Sequence, residues 1–279
     1  MTSARYPELR GRVALVTGAA KGIGEGVAMR LASEGMSVVA ADLDADALAS
    51  TVETLRALGV EALAHRGDVS AREDIEQLFD AATEAFGTVD VLVNNAAHLG
   101  RKRTLDEHDE LLDHQLSTNI RGPYLCSQRA AAVMREAGRG SIVNISSVGA
   151  LRAHHRGLPY DVTKGAINAM TMAMAVDLGV YGIRVNAVGP GVTTTHRSNL
   201  DPAAVESTSA GIPLRRPGTI ADIAASVAFL SSDEAAYVTG QVLYVDGGIT
   251  AQLSPEGQHA LERDDSHRLP PLPETRGQQ

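Results

Sequence analysis

The sequence predicts an α/β fold built on one doubly wound, parallel sheet of about seven strands with helices on both faces. Three observations predict it. Short runs rich in Val, Ile, Leu and Ala alternate with longer stretches of helical periodicity between residues 12 and 245, the pattern of repeated βα units. Gly35, Gly59, Gly87, Gly138 and Gly182 each stand where a helix must end, and glycine accepts the left-handed backbone of a helix C-cap. The first strand also runs straight into a glycine-rich turn, Thr17-Gly18-Ala19-Ala20-Lys21-Gly22-Ile23-Gly24, that opens a helix.

Taken in order, the apolar run Val13-Ala14-Leu15-Val16 places a strand at 12–17, and the periodic stretch after the turn a helix at 22–35. Further strands are expected near 37–41, 61–65, 89–93, 140–146, 183–188 and 241–245. Helices fill the gaps near 44–58, 71–86, 107–137, 160–179 and 220–231. No linker or shift in composition divides residues 11–250, so one domain is expected there, after an N-terminal extension at 1–10. Two stretches break the rhythm. Residues 190–218 carry Pro190, Gly191, Pro202, Pro213 and Pro217 and are expected to form a substrate lid. Residues 251–279 are a polar, proline-containing tail.

Composition narrows the function classes. Aromatic residues make up only 3% of the chain and Trp is absent, so small aliphatic side chains must fill the core, as between helices and a parallel sheet. The net charge of −9 disfavours a nucleic-acid partner, which a basic face would attract. Residues 1–10 have no apolar signal region and no run is long enough to span a membrane, so a cytoplasmic location is expected. The one cysteine, Cys126, reads as core filler rather than a nucleophile. No cluster has metal-ligand spacing, so no metal is expected.

The glycine turn points to a dinucleotide. Gly18, Gly22 and Gly24 let the backbone turn tightly against a pyrophosphate, whose charge the free N–H groups of the helix N-terminus attract, as in a Rossmann-type unit. Asp42 ends the second strand, 24 residues after Gly18, where an acid accepts hydrogen bonds from the adenosine ribose and repels a 2′-phosphate. NAD is therefore expected, although Lys21 in the turn pulls toward NADP. Asp68 and Val69 are placed to meet the adenine, with Asp68 alternatively capping the next helix. Asn94 and Asn95 are suited to stiffen the floor of the cleft.

A second constellation points to proton transfer. Tyr160 and Lys164 lie one helical turn apart and so share a face. A nearby ammonium stabilises a phenolate, and lowering the phenol pKa by about 3 units corresponds to about 4 kcal/mol. Tyr160 is then expected to act as general acid/base, with Ser147 at the end of the preceding strand holding the substrate oxygen.

In this order the motifs resemble those of the short-chain dehydrogenase/reductase family, over roughly residues 10–250. The resemblance rests on the glycine turn, Asp42, Asp68-Val69, Asn94-Asn95-Ala96, Asn119, Ser147, Tyr160-x-x-x-Lys164, Asn186 to Gly191 and Asp246-Gly247-Gly248. It implies that Ser147, 13 residues before Tyr160, is the catalytic serine rather than Ser146. It also implies that Asn119 holds a water in a proton relay to Lys164, and that Lys164 binds the nicotinamide ribose. Ile23 would meet the pyrophosphate through its backbone, and Thr195, after Pro190, the carboxamide. Ala97 departs from the glycine common at that position. By the same resemblance the helix carrying Met170, Met172 and Met174 packs in a homotetramer.

Between the serine and the tyrosine, His154 or His155 is expected to contact a polar substrate group, while Arg101-Lys102-Arg103 reads as a solvated charge run, with an anion-binding entrance as the alternative. The leading function is an NAD(H)-dependent oxidoreductase interconverting a secondary alcohol and its ketone. The alternatives are an NADPH-dependent 3-oxoacyl-thioester reductase and, more remotely, a non-catalytic dinucleotide-sensing regulator.

Overall fold

Apolar side chains occupy both faces of nearly every strand, so the strands can lie only between two layers of helices. A computed structural model describes residues 4–106, 109–198 and 201–253. It contains β1 (Val13–Thr17), β2 (Ser37–Asp42), β3 (Ala62–Arg66), β4 (Val91–Asn94), β5 (Gly140–Ile145), β6 (Ile183–Pro190) and β7 (Val242–Val245). These form one seven-stranded sheet in the order β3-β2-β1-β4-β5-β6-β7, and every pairing is parallel. The order reverses between β1 and β4, and open α/β sheets bind ligands outside the strand ends at such a point.

Alternation along each strand sorts the core into two layers. Ala14, Val16, Val38 and Val91 face α1 (Gly22–Ser33), α2 (Ala45–Ala57) and α8 (Ile220–Ser231), packing with Val27, Leu31, Leu48 and Val227. Leu15, Val39, Leu92 and Ile142 face α3 (Arg72–Phe86) and α5 (Gly122–Ala137), packing with Leu78, Phe79, Met134 and Cys126. Burial pushes the Cys126 thiol up to about 12, as suits a core residue. The five helix-ending glycines all take positive φ.

The structure differs from the sequence expectation in one helix. Within the expected 107–137 helix, whose residues 107 and 108 lie outside the described ones, α4 (Asp109–Leu116) and α5 are joined by a π-helical turn, Ser117–Arg121. Pro123 has no N–H to give the carbonyl four residues back, that of Asn119, so the ladder widens there. Past β6, the two ends of the 190–218 stretch pair with each other. Thr193 bridges Gly218, and Thr194 N–H donates to the Gly218 carbonyl at 2.8 Å, with α7 (Pro202–Ala210) in between. From residue 254 on, the expected polar tail lies outside the described residues.

Candidate active site

The switch point opens into a cleft of about 760 Å³. Its floor is set by Thr17, whose hydroxyl accepts from the N–H groups of Asn95 at 3.1 Å and Ala96 at 3.2 Å. Asn95 in turn donates to the carbonyls of Thr17 at 3.0 Å and Gly18 at 2.9 Å, tying β4 to the glycine turn. Gly18 has φ +64°, and a Cβ there would stand 2.8 Å from Ala96 Cα. One on Gly24 would stand 2.1 Å from the Gly18 carbonyl oxygen. These contacts require bare glycines, so α1 rises directly from the turn. No side chain caps α1, whose Gly22 and Ile23 border the cleft; first-turn N–H groups in this position suit a pyrophosphate.

At the ends of β2 and β3, Asp42 accepts from the N–H groups of Ala20 and Asp44, both at 3.0 Å. Each oxygen keeps a lone pair for a ribose hydroxyl. Lys21 donates to Asp44 at 2.7 Å, an exposed pair that raises the lysine and lowers the acid through that hydrogen bond. Asp68 does not cap α3; its oxygen accepts from Ser70 N–H at 2.8 Å, and with Val69 it lines the cleft.

The opposite wall comes from β5 and the first turn of α6 (Leu158–Leu178). Ser147 follows β5 and its hydroxyl accepts from Gly149 N–H at 3.0 Å. Ser146 is spent structurally, donating to Asn168 Oδ1 at 2.6 Å. The buried Lys164 donates to the Ile145 carbonyl at 2.7 Å and stands 5.6 Å from the Tyr160 ring centroid. Burial pulls its pKa down to about 8. Tyr160 departs from expectation. Burial drives its phenol above the ordinary value, outweighing the Ser147 hydrogen bond and the nearby Arg101 and Arg197, which act downward. A lysine turned onto a backbone carbonyl and itself desolvated is a weaker counter-charge than the four-residue spacing implies.

Asn119 lies on the π-helical turn. Its side-chain oxygen accepts from His98 N–H at 2.7 Å, and its amide donates to the His98 carbonyl at 3.1 Å and Thr163 Oγ1 at 3.1 Å. Thr163 donates on to the Tyr160 carbonyl at 2.7 Å, so Asn119 braces the turn that carries Tyr160. Both amide hydrogens are engaged, which leaves little of this side chain to hold a water.

Of the expected site residues, Gly18, Lys21, Gly22, Ile23, Asp42, Asp68, Val69, Asn95, Ser147, His154, Tyr160, Lys164, Pro190 and Thr195 all border the one cleft. Gly24 and Asn119 are buried behind it, and the exposed His155 lies off its lining. Sequence reasoning missed Asp161 and had Arg101 only as part of a charge run with an anion-binding entrance as the alternative. Asp161 accepts from His154 N–H at 2.6 Å and faces its Nδ1 at 2.7 Å, leaving Nε2 as the free ring nitrogen. Arg101 lines the cleft with its guanidinium 5.9 Å from the Tyr160 ring centroid. A run of three charges at a strand exit was the only available signal. Among the described residues no group of three or more His, Cys, Asp or Glu could hold a metal.

Comparisons with known proteins agree with this geometry. The family model described as "Enoyl-(Acyl carrier protein) reductase" matches residues 18–250. Glucose 1-dehydrogenase 2 of Bacillus subtilis is 37% identical over 255 residues, covering 88% of this chain and 97% of the relative. The 3-oxoacyl-[acyl-carrier-protein] reductase of Staphylococcus epidermidis is 35% identical over 238 residues, covering 85% and 98%. The crystal structure of NAD⁺-bound xylitol dehydrogenase superposes with a TM-score of 0.81 at 32% identity, covering 86% of this chain and all of that one. By this family match over residues 18–250 and these relatives, the chain belongs to the short-chain dehydrogenase/reductase family of oxidoreductases, which use nicotinamide dinucleotides.

Proposed function

We propose that the protein is an NAD(H)-dependent dehydrogenase interconverting a secondary alcohol and its ketone, with Tyr160 as general acid/base. The observation that carries this is the convergence of Ser147, Tyr160 and Lys164 in the cleft that Asp42 and the glycine turn also border. The first turn of α1 would hold the pyrophosphate, Asp42 the adenosine ribose, Asp68 and Val69 the adenine, and Pro190 and Thr195 the carboxamide. When bound, the oxidised dinucleotide supplies the hydride acceptor and a positive charge beside the phenol. Ser147 holds the substrate oxygen while Tyr160 takes the hydroxyl proton in oxidation and returns it in reduction. Lys164 favours the phenolate and binds the nicotinamide ribose, and Asn119 positions the turn carrying both. The 190–218 segment acts as the lid, its base pinned by the Thr193–Gly218 bridge.

Asp42 supports NAD over NADP, and so does the Lys21–Asp44 pair, which occupies the turn's one cation. The NAD⁺-bound xylitol dehydrogenase supports the same preference. The 3-oxoacyl-[acyl-carrier-protein] reductase relative favours a second reading, NADPH-dependent thioester reduction on this site. The single buried thiol suits a reducing cytoplasm. Titrating NADH and NADPH into wild type and Asp42→Ala decides between the readings. Tighter NADH binding by wild type and a relaxed preference in the variant are expected; an NADPH preference in wild type would promote the reductase.

A further inference from the structure

The charges lining the cleft are sorted by position. Its carboxylates, Asp42, Asp44 and Asp68, all lie at the ends of β2 and β3, where the adenosine would sit. Around Ser147 and Tyr160 the charged lining residues are Lys164, Arg101 and Arg197, with no carboxylate among them. The nearest acid in sequence, Asp161, is turned onto His154. In a chain of net charge −9, a cationic end to the cleft is a local choice rather than a reflection of composition.

Arg101 is an exposed part of that choice. Arg12, Arg30, Arg129, Arg139 and Arg216 all pair with carboxylates. Arg101 has no carboxylate partner among the described residues; it lies over the Tyr160 ring, 5.9 Å from the centroid. A guanidinium is weakly hydrated and presents a fork of donors that matches a carboxylate or phosphate. The cofactor's phosphates are not its natural partner. They belong at the glycine turn, where a Cβ on Gly22 would stand 3.3 Å from His196, whereas Arg101 leaves the β4 exit and reaches toward the tyrosine.

Building on the dehydrogenase reading, we propose that the substrate is a secondary alcohol, or its ketone, carrying an anionic group a few bonds from the reacting carbon, and that Arg101 binds that group. Carboxylate and phosphate share this chemistry. Arg197, approaching from the 190–218 segment, adds to the field without being required as the anchor.

Matched probes test this on the full chain: lactate and methyl lactate, β-hydroxybutyrate and its methyl ester, glycerol phosphate and glycerol, each with NAD⁺ and NADP⁺. Wild type should favour the charged member of at least one pair by about tenfold or more in kcat/KM, and the pair concerned separates carboxylate from phosphate. Arg101→Gln should lower that preference roughly 10- to 100-fold with NADH affinity retained, the charged member losing far more kcat/KM than the neutral one, which loses only what the phenol owes to the nearby cation. Equal or better turnover of the neutral members by wild type would overturn the proposal, as would an equal loss on both members in the variant. Where no probe is turned over, calorimetric titration of the NADH-bound protein with succinate and with inorganic phosphate replaces the assay. Saturable binding that Arg101→Gln abolishes supports the site, and its absence in wild type overturns it. Failure of the NAD-site reading on which this rests looks different, because NADH itself would then not bind.

Discussion

Tyr160 and Lys164 illustrate how far a pair of residues is defined by its surroundings. Tyr160→Phe removes the hydroxyl and nothing else, so kcat should fall about 10²- to 10⁴-fold with NADH binding retained; an equal loss of binding would instead assign Tyr160 a structural role. The desolvated Lys164 makes a prediction about stability. Its folded pKa, about 8, lies below the ordinary 10.5, so between those values the unfolded chain binds a proton that the folded chain does not. Stability contributed by this group therefore rises with pH across that window. Relative to Lys164→Met, wild type should gain about 3 kcal/mol between pH 8 and 10.5 in urea denaturation. A difference that stays flat with pH would show that the ammonium is better solvated than its burial implies.

At the scale of elements, two glycines two residues apart on α1 separate cofactor binding from packing. Gly24 abuts the glycine turn, whereas a Cβ on Gly26 would stand 1.9 Å from Ile220 Cγ2, where α1 packs on α8. Gly24→Ala should therefore abolish NADH binding. Gly26→Ala should lower the stability by about 1–3 kcal/mol through overpacking, while the folded fraction still binds NADH. Loss of NADH binding in both variants would mean that α1 moves as one rigid unit with the turn. The start of α8 is held by a capping box between Thr219 and Asp222. Arg216 also bonds Asp222 and holds its carboxyl well below the usual range. Strand positions and helix ends were legible because alternation and capping are local. The π-helical turn was less so, since Pro123 had to be read against the carbonyl of Asn119.

For the whole molecule, the outer face of α5 and α6 leaves Tyr124, Val162, Met172 and Val176 exposed. Exposed apolar side chains suit a subunit contact, and we propose that the homotetramer implied by the family resemblance would pack through them. Light scattering should return the mass of four chains for wild type and a smaller mass for Val176→Asp, whereas a monomeric wild type would refute the assembly. The cleft lies away from this face, at the C-terminal ends of the strands, so the smaller species should still bind NADH.

By itself the sequence determined the sheet, the glycine turn, and the positions of Asp42, Ser147, Tyr160 and Lys164, because periodicity, turn chemistry and short-range spacing are written into neighbouring residues. Only the tertiary structure decided how those groups behave. Lys21 is taken by Asp44, 23 residues away, and Arg101 lies over a ring 59 residues further along the chain. His154 rather than His155 borders the cleft. The phenol moves up rather than down because desolvation depends on everything packed around it. Burial and field are sums over the folded molecule, and no local stretch of sequence contains them.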